Sequence, residues 1–222
     1  MASVSFVASA SAADRSALLA DVAAFLERDP ATAGRALVDL PYTTEVMWAA
    51  RRTIEPGTTG VVTSVNLNRG GVPKPPVNGS RILRLGLDGD GHTEPEPMHG
   101  GVDGAVCLYA QEAIERVRED GHQAFPGAYG ENLTLLGIDW AALQPGYRLA
   151  FGEGRDSDGG ALIELVKHAA PCQTIAHWFT ERHIARISGK VYPEDARWYA
   201  RVLREGPVTP GMAVRVERNA EA

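Results

Sequence analysis

The chain has 222 residues, of which 44% are hydrophobic and 23% are charged, and its formal net charge is −6. This composition is ordinary for a globular protein, and the length suits one core of usual size with room for an appendage. The acidic balance excludes the basic face that a nucleic acid or an anionic membrane surface would need. No apolar run approaches the roughly 20 residues of a membrane span. We therefore expect no nucleic-acid partner and no membrane partner.

The N-terminal residues and the cysteine content predict a cytoplasmic protein. The opening residues MASVSFVASASAAD are small, as at a signal cleavage site, but no Lys or Arg precedes their thin apolar part. We therefore predict that they are not a signal peptide. The two cysteines, Cys107 and Cys172, are too few for a disulfide framework. A reducing cytoplasm suits them best.

Residues 1–56 are predicted to be a helical extension that precedes the main domain, residues 57–222. The segment 12–29 has an apolar helical face and ends at Pro30, and shorter helices are predicted over 32–39 and 44–52. The apolar face consists of Leu18, Leu19, Val22, Phe25 and Leu26. Such a stripe is most often a packing surface, here against the main domain or against a second copy of the chain, so a homodimer is one expectation. No chemistry is visible in this segment.

From Gly60 onward, short apolar segments separated by Gly/Pro turns replace the helical spacing. Strand-like segments occur at 61–67, 82–87, 106–109, 133–136, 147–151, 162–166 and 212–216, with a further segment at 198–203. Only Gln111–Glu119 has the pattern of an amphipathic helix within this part. Many short strands with few helices predict a mainly β fold, a barrel-like or sandwich domain with helical insertions.

A long polar loop at 88–104 is the first candidate for function. Long irregular segments inside a compact domain are usually functional or disordered, and the glycines of this one would let backbone approach a ligand closely. The loop has neither an HExxH nor a paired CxxC pattern, so it does not predict a zinc or iron site. Its start is similar to a calcium loop but lacks the closing acidic residue. Its polar residues include Asp88, Asp90, His92, His99 and Asp103.

Cys172 is the second candidate, because it follows a predicted strand and a proline and begins a segment with helical spacing. The unpaired N–H groups at a helix start favour a thiolate, which is the form needed by a nucleophile or a soft-metal ligand. Two other interpretations stay open from the residues alone. Free cysteines are often buried and inert. Alternatively, His99 or His168 could activate Cys172 in a Cys–His hydrolase.

Taken in order, these pieces resemble the MOSC domain, named for the C-terminal domain of molybdenum cofactor sulfurases. The resemblance covers about 61–216 and is closest to the small stand-alone bacterial members, whose characterised relatives reduce N-hydroxylated bases and amidoximes. No single piece is specific, but the order of all of them is. The pieces are the loop Gly86–His92, the run His99–Asp103, Tyr109, the loop Gly130–Leu133 and the pair Pro171-Cys172.

The resemblance implies a β-barrel-like fold in which Cys172 ligates the molybdenum of a pterin cofactor and is the catalytic residue. A thiolate suits such a metal, and an anionic cofactor gains from a helix N-terminus. The resemblance also implies that two loops line the same cavity, with backbone N–H groups, Glu131 and Asn132 contacting the cofactor. The implied cofactor-binding residues of those loops are His99, Gly100, Gly101, Asp103, Glu131 and Asn132. Cys107 is interpreted as structural, and no pyridoxal phosphate is expected.

Two departures from the family pattern concern basic residues. Family members often have a basic residue after the aspartate that matches Asp103, where this chain has Gly104. They also often have an arginine two residues before the proline, where this chain has Ala169, or a basic residue after the cysteine, where this chain has Gln173. An arginine fork recognises phosphate in a bidentate manner, so its loss needs a replacement. Either Lys167, His168 or Arg84 is that replacement, or the protein binds its cofactor weakly or binds something else.

The resemblance thus implies a molybdenum-cofactor oxidoreductase that reduces the N–O bond of a small N-hydroxylated substrate. No flavin, haem or iron–sulfur site is visible, so a separate protein would donate the electrons. One alternative is a module that carries or delivers the cofactor or sulfur without turnover. A further alternative is a Cys-dependent hydrolase or a metal-free β domain.

Overall fold

Eleven strands and one α-helix make up the regular structure of residues 57–91, 100–152 and 160–217, which are the residues that the computed structural model describes. The strands are β1 Thr59–Asn66, β2 Pro76–Val77, β3 Ser80–Leu83, β4 Gly86–Leu87, β5 Val106–Ala110, β6 Leu133–Leu136, β7 Arg148–Phe151, β8 Leu162–Ala169, β9 Arg197–Arg204, β10 Gly206–Val208 and β11 Ala213–Glu217. The helix, α1, spans Gln111–Glu119, as its apolar spacing predicts. Short 3-10 helices cover Val102–Gly104, Trp140–Ala142, Gln173–Trp178, Thr180–Arg182, Ile184–Ile187 and Pro193–Asp195.

Seven of the strands close into a barrel in the order β1-β11-β7-β8-β9-β5-β6, and β6 pairs back onto β1. Every neighbouring pair in this barrel is antiparallel except β5 and β6, which are parallel. The short strand β2 extends the sheet beside β1, and a separate small sheet has the order β10-β3-β4. The mainly β, barrel-like fold expected from the sequence is confirmed.

The parallel pair β5–β6 requires a crossover, and α1 supplies it. The helix begins directly after β5 and turns its buried residues Ala113, Ile114 and Val117 towards the barrel. All five residues of β5 are buried, in contrast to the alternating pattern of β11. A strand covered on both faces needs a continuous apolar run, which explains the sequence VCLYA in β5.

The barrel interior is filled by the inward-facing residues of its strands. In β11 every second residue is buried, as expected for a strand with one face towards a core and one towards solvent, and β8 shows the same alternation from Leu162 to Leu165. The fully buried side chains of greatest volume include Leu108, Leu133, Leu135, Leu149, Ile163 and Leu165. These residues come from four different strands, so the core depends on closure of the barrel.

The structure corrects three details of the predicted elements. The segment 82–87 is a hairpin of β3 and β4, since the exposed Leu85 lies in the turn between them. The strand predicted to end at Val166 continues to Ala169 because β9 pairs with it along its full length. The predicted helix containing Cys172 is a 3-10 helix, and Cys172 lies in extended conformation just before its first residue, Gln173.

Some predictions fall on residues outside the described ranges. They are the helices of residues 1–56, the positions of His92 and His99, and most of the turn between β7 and β8. The boundary predicted between residues 56 and 57 also stays a prediction. The described residues belong to one compact unit, Ala49–Ala222. Within the described ranges, no helix has the length and apolar character needed to cross a membrane.

Candidate functional site

A cleft lies at the end of the barrel where β8 ends, β9 begins, and the loop before β6 approaches β5. It holds about 760 Å³ of atom-free space, counting the part that is open to solvent. The described lining residues include the basic side chains Lys74 and Arg197 and no acidic side chain. The complete described lining is Gly71, Val72, Lys74, Gly91, Gly100, Gly104, Cys107, Tyr129, Gly130, Asn132, Cys172, Thr174, Ile175, Arg197 and Tyr199.

Cys172 reaches the cleft because β8 ends at Ala169 and Pro171 prevents its continuation. The residue is extended, with φ −125° and ψ 169°, and is half-buried with a free thiol. The 3-10 helix that follows it, Gln173–Trp178, places Thr174 and Ile175 in the same wall. The strand–proline–cysteine order in the sequence therefore delivers an accessible sulfur to the cleft.

Arg197, at the start of β9, is the buried cation of the cleft. Its Cα faces that of Ala169 across the β8–β9 pair, and only 5% of its surface is exposed. One terminal nitrogen donates to the carbonyl of Tyr129, the other donates to the carbonyl of Ala170 at 3.4 Å, and Nε has no partner. None of the ion pairs found among the described residues includes Arg197. A buried guanidinium that contacts only carbonyl groups leaves its positive charge available to an anion.

A second cation, Lys74, is neutralised within the protein. Its ammonium pairs with the buried carboxylate of Asp90, which also accepts from the backbone N–H of Asn68 at 2.9 Å and from Nδ2 of Asn132 at 2.8 Å. Asn132 is in turn fixed to β5, since its Oδ1 accepts from the backbone N–H of Cys107 at 3.1 Å. One carboxylate therefore holds Lys74 and Asn132 side by side in the cleft wall.

The loop before β6 packs tightly behind the cleft, and Gly127 makes this packing possible. A Cβ atom on Gly127 would lie 1.9 Å from the carbonyl oxygen of Lys74, and φ at this residue is +83°. The backbone N–H of Lys74 also donates to the carbonyl of Gly127 at 2.9 Å. Only glycine accepts both the left-handed conformation and the close approach.

Glu131 lies inside this loop, fully buried, and is not part of the cleft lining. Its Oε1 accepts from the backbone N–H of Gly127 at 2.6 Å, and Oε2 has no hydrogen-bond partner. Burial raises the pKa of Glu131 from its ordinary 4.5 to about 7, although the N–H of Gly127 and the charge of Arg197 oppose the shift. The carboxyl is therefore a proton-binding group close to neutral pH.

Aromatic rings form part of the cleft wall. Tyr129 stacks on Phe179 with ring centroids 4.7 Å apart and an interplanar angle of 19°. Burial raises the pKa of Tyr199 to about 12 and also raises that of Tyr129, so both phenols are neutral at physiological pH. The aromatic residues thus offer flat apolar surface and neutral hydroxyl groups.

Cys107 lies on β5 with 5% of its surface exposed. Burial raises the pKa of its thiol to about 11, so it is protonated at neutral pH. This neutral, buried state agrees with the structural role that its apolar strand predicts.

The structure brings three of the sequence-predicted residues together, since Cys172, Gly100 and Asn132 all line the cleft. Asp103 is exposed, and its Oδ1 lies 3.0 Å from Arg201. Gly101 precedes the 3-10 helix that contains Asp103 and is not part of the lining. His99 lies outside the described residues. The cofactor-binding roles of all these residues stay predictions.

Lys167 and His168, the proposed replacements for the missing arginine, lie on β8 opposite Tyr199 and Trp198. Lys167 is exposed, while the ring of His168 contacts that of Trp198 with centroids 4.1 Å apart. Burial lowers the pKa of His168, so its imidazole is neutral at pH 7. Neither side chain is part of the cleft lining.

Sequence reasoning missed Arg197, Lys74 and Tyr199. Arg197 lies at the edge of an apolar segment, where an arginine usually ends a strand at the surface. Its role follows from the pairing of β8 with β9, which places it opposite Ala169. Because Ala169 stands where an arginine is expected, an arginine on a strand that could pair with this position was the available signal.

Within the described residues, no group of three or more His, Cys, Asp or Glu side chains is arranged to hold a metal ion. No described histidine lines the cleft beside Cys172 either. Two cysteines line the cleft, of which Cys172 is half-buried and Cys107 is buried and protonated at neutral pH.

Comparison with known proteins agrees with this geometry. The sequence pattern of the MOSC domain matches residues 95–215 of the chain. YflK, an uncharacterized protein of Bacillus subtilis (strain 168), is 29% identical over 144 residues, which are 64% of this chain and 60% of YflK. The chain thus spans about three fifths of the length of this curated relative.

Two solved structures share the fold. The crystal structure of YiiM from Geobacillus stearothermophilus has a TM-score of 0.53 and 26% identity, covering 73% of this chain and 78% of YiiM. The YUAD protein from Bacillus subtilis has a TM-score of 0.58 and 16% identity, covering 72% of this chain and 97% of that protein. At that identity, the second likeness concerns the fold alone.

Proposed function

Because the chain belongs to the MOSC domain family, which is associated with the molybdenum cofactor, we propose that its cleft binds this cofactor with Cys172 as the molybdenum ligand. We further propose that the loaded protein reduces the N–O bond of small N-hydroxylated compounds. In that reaction two electrons and two protons convert a hydroxylamine, R–NHOH, to the amine R–NH2 and water. A separate donor protein supplies the electrons.

The observation that supports this proposal most is the placement of Arg197 and Cys172 in one cleft. A buried guanidinium without an ionic partner among the described residues favours an anionic ligand, such as the phosphate of a pterin cofactor. A thiol at the same cleft offers the soft ligand that molybdenum accepts. The two groups together match a ligand that carries both an anionic end and a metal.

The rest of the lining fits the same ligand. Five of its residues are glycines, which let backbone N–H groups approach an anion closely. Asn132 keeps one amide hydrogen for a ligand after its bond to Asp90, because the amide carries two. The absence of acidic side chains among the described lining residues avoids repulsion of an anion. No described residue of the lining opposes the proposed ligand.

Each group of the chain has a distinct task in this proposal. When bound, the cofactor supplies the electron-transferring metal centre. Cys172 holds that centre through sulfur, and Arg197 balances the negative charge of the cofactor inside the protein. Tyr129, held by its stack on Phe179, presents a flat wall that limits how a planar ligand can orient. The neutral thiol of Cys107, a buried part of the cleft lining, excludes water there without competing for the metal.

Molybdenum content tests the proposal directly. Wild-type protein purified from cells that make the cofactor should contain close to one molybdenum per chain, and Cys172→Ser should contain almost none. An alcohol remains protonated where a thiol ionises, so serine does not replace the soft ligand. Cys107→Ser is the matched control, because it changes the other cysteine of the same cleft and should retain the metal. Equal molybdenum in Cys172→Ser and wild type would refute the assignment.

A second measurement separates an enzyme from a carrier. The loaded protein, given a chemical electron donor and a hydroxylamino base, should form the amine. A protein that retains molybdenum but forms no amine, and releases cofactor to an acceptor apoenzyme, would be a delivery module instead.

A further inference from the structure

Glu131 is a buried titratable group for which the proposed reaction has no task. It is fully buried within the loop that also carries three lining residues, Tyr129, Gly130 and Asn132. The close approach of Gly127 to the backbone of Lys74 leaves no room for a side chain at that point of the loop. One oxygen of Glu131 is bound to the N–H of Gly127, and the other has no hydrogen-bond partner. Burial with one oxygen unpartnered makes this carboxyl costly to ionise, although the backbone N–H groups of Gly127, Tyr129 and Glu131 itself favour the charged form.

The charged group that acts on Glu131 is Arg197, whose guanidinium donates to the carbonyl of Tyr129 in the same loop. The other titratable groups that interact with Glu131 are Cys107 and Tyr109 on β5, together with Tyr129. Burial raises the pKa of all three, so they are neutral near pH 7 and leave the charge balance to Glu131 and Arg197.

An anion in the cleft and an ionised Glu131 would therefore both be stabilised by the same buried positive charge, that of Arg197. We propose that the cleft binds its anionic ligand together with a proton, and that Glu131 takes up this proton. The inference rests on the proposed function for the identity of the ligand, but it applies to any oxyanion that Arg197 binds. Binding of the anion and protonation of the carboxyl favour each other by the same factor, because linkage between two sites is reciprocal.

Sulfate is a suitable probe, because its own charge does not change between pH 5 and pH 9. Its affinity for cofactor-free full-length protein should fall as pH rises, with the dissociation constant increasing at least about fivefold from pH 6 to pH 8, the low end of coupling between sites. Titration calorimetry at pH 7.5 in two buffers of different ionisation enthalpy should show net proton uptake on binding.

Three variants identify the residue that takes up the proton when sulfate binds. Glu131→Gln should bind sulfate at all pH values as tightly as wild type does at pH 6. Glu164→Gln, a change to a half-buried carboxylate on β8 outside the cleft, should keep the wild-type pH dependence. His168→Gln should also keep the wild-type pH dependence of sulfate binding. Loss of that dependence in His168→Gln would show that the histidine takes up the proton, and would overturn the proposal.

Other outcomes also decide the matter. Sulfate binding without pH dependence, or no sulfate binding at all, would overturn the proposal. Should Glu131→Gln not fold, proton uptake by wild type together with a new protonated-carboxyl band in its infrared difference spectrum would support the proposal, and the absence of either would refute it. Failure of the cofactor proposal is seen separately, as loss of molybdenum from a protein that still binds sulfate with proton uptake.

Discussion

Ala169 and Arg197 face each other across the β8–β9 pair, at the point where both strands reach the cleft. The MOSC resemblance leads one to expect an arginine at the position of Ala169, and the structure has one directly opposite. The buried guanidinium contacts the carbonyl that follows Ala169, that of Ala170, at 3.4 Å. We infer that the neighbouring strand supplies the basic group that β8 lacks.

Moving the arginine across the strand pair tests this relationship. Arg197→Ala should weaken cofactor retention by about 1.5–3 kcal/mol, roughly 10- to 150-fold, as expected for loss of charged hydrogen bonds. The double change Arg197→Ala with Ala169→Arg should recover part of the molybdenum content. Retention is measured as molybdenum per chain after dialysis. A double variant that holds less metal than Arg197→Ala alone would contradict the exchange.

Lys167 and His168 should contribute less than Arg197 to molybdenum retention. If Lys167 and His168 together replaced the missing arginine, each single alanine variant would lose about 1–3 kcal/mol of cofactor binding. Neighbouring residues on a strand face opposite ways, and His168 contacts Trp198. We therefore expect the double alanine variant to retain molybdenum no worse than the weaker single variant. A larger loss in the double variant would restore the compensation hypothesis.

The buried ion pair of Lys74 and Asp90 should be costly to break from one side. Asp90→Asn leaves an ammonium buried without its counter-charge, so the free energy of unfolding should fall by about 3–5 kcal/mol. Adding Lys74→Met should recover much of this loss, because both charges are then gone. Asp88→Asn, a change to an exposed neighbour, is the control and should be nearly neutral. Urea denaturation measures all four proteins, and equal stability of Asp90→Asn and wild type would show that the pair contributes little.

Two glycines with nearly the same backbone conformation isolate the effect of close packing. Gly127 and Gly121 have φ of +83° and +86°, but only Gly127 has an atom within 4 Å of its would-be Cβ. Gly121→Ala should therefore cost about 1–2 kcal/mol for the left-handed conformation alone. Gly127→Ala should cost more, since the loop must move away from Lys74. Similar melting temperatures for the two variants would contradict the predicted contact.

The stability of the fold should depend on the titration of Glu131. Burial raises its pKa in the folded state from 4.5 to about 7, so the folded protein binds more protons than the unfolded chain between these pH values. The free energy of unfolding should consequently fall as pH rises from about 4.5 to 7, by up to roughly 3 kcal/mol. Glu131→Gln should remove this part of the pH dependence in urea denaturation at pH 5, 6, 7 and 8. An unchanged pH profile in the variant would assign it to other groups.

Strand positions, the helix α1 and the location of Cys172 could be predicted because local patterns encode them. Alternation in β11, the apolar face of α1 and the Pro171-Cys172 pair are each contained within a few residues of sequence. The strands β2 and β10 escaped prediction because each contains a proline and lies at an edge of its sheet.

The charges of the cleft could not be predicted, because they arise from pairings between distant residues. Asp90 meets Lys74 and Asn132 only when three loops come together, and Arg197 reaches the cleft only through the register of β9 against β8. The burial of Glu131 likewise depends on Gly127 packing against Lys74. Patterns of neighbouring residues do not contain this information.

The pairing of β1 with β11 sets the time at which the domain can be completed during synthesis. These two strands are the first and the last described strands of the barrel, yet they are hydrogen-bonded neighbours. Until β11 leaves the ribosome, β1 and β7 each present an unpaired edge, and such edges can pair with other chains. Contacts this distant in sequence also slow folding. The protein should thus depend on chaperones most strongly in the interval just before β11 emerges.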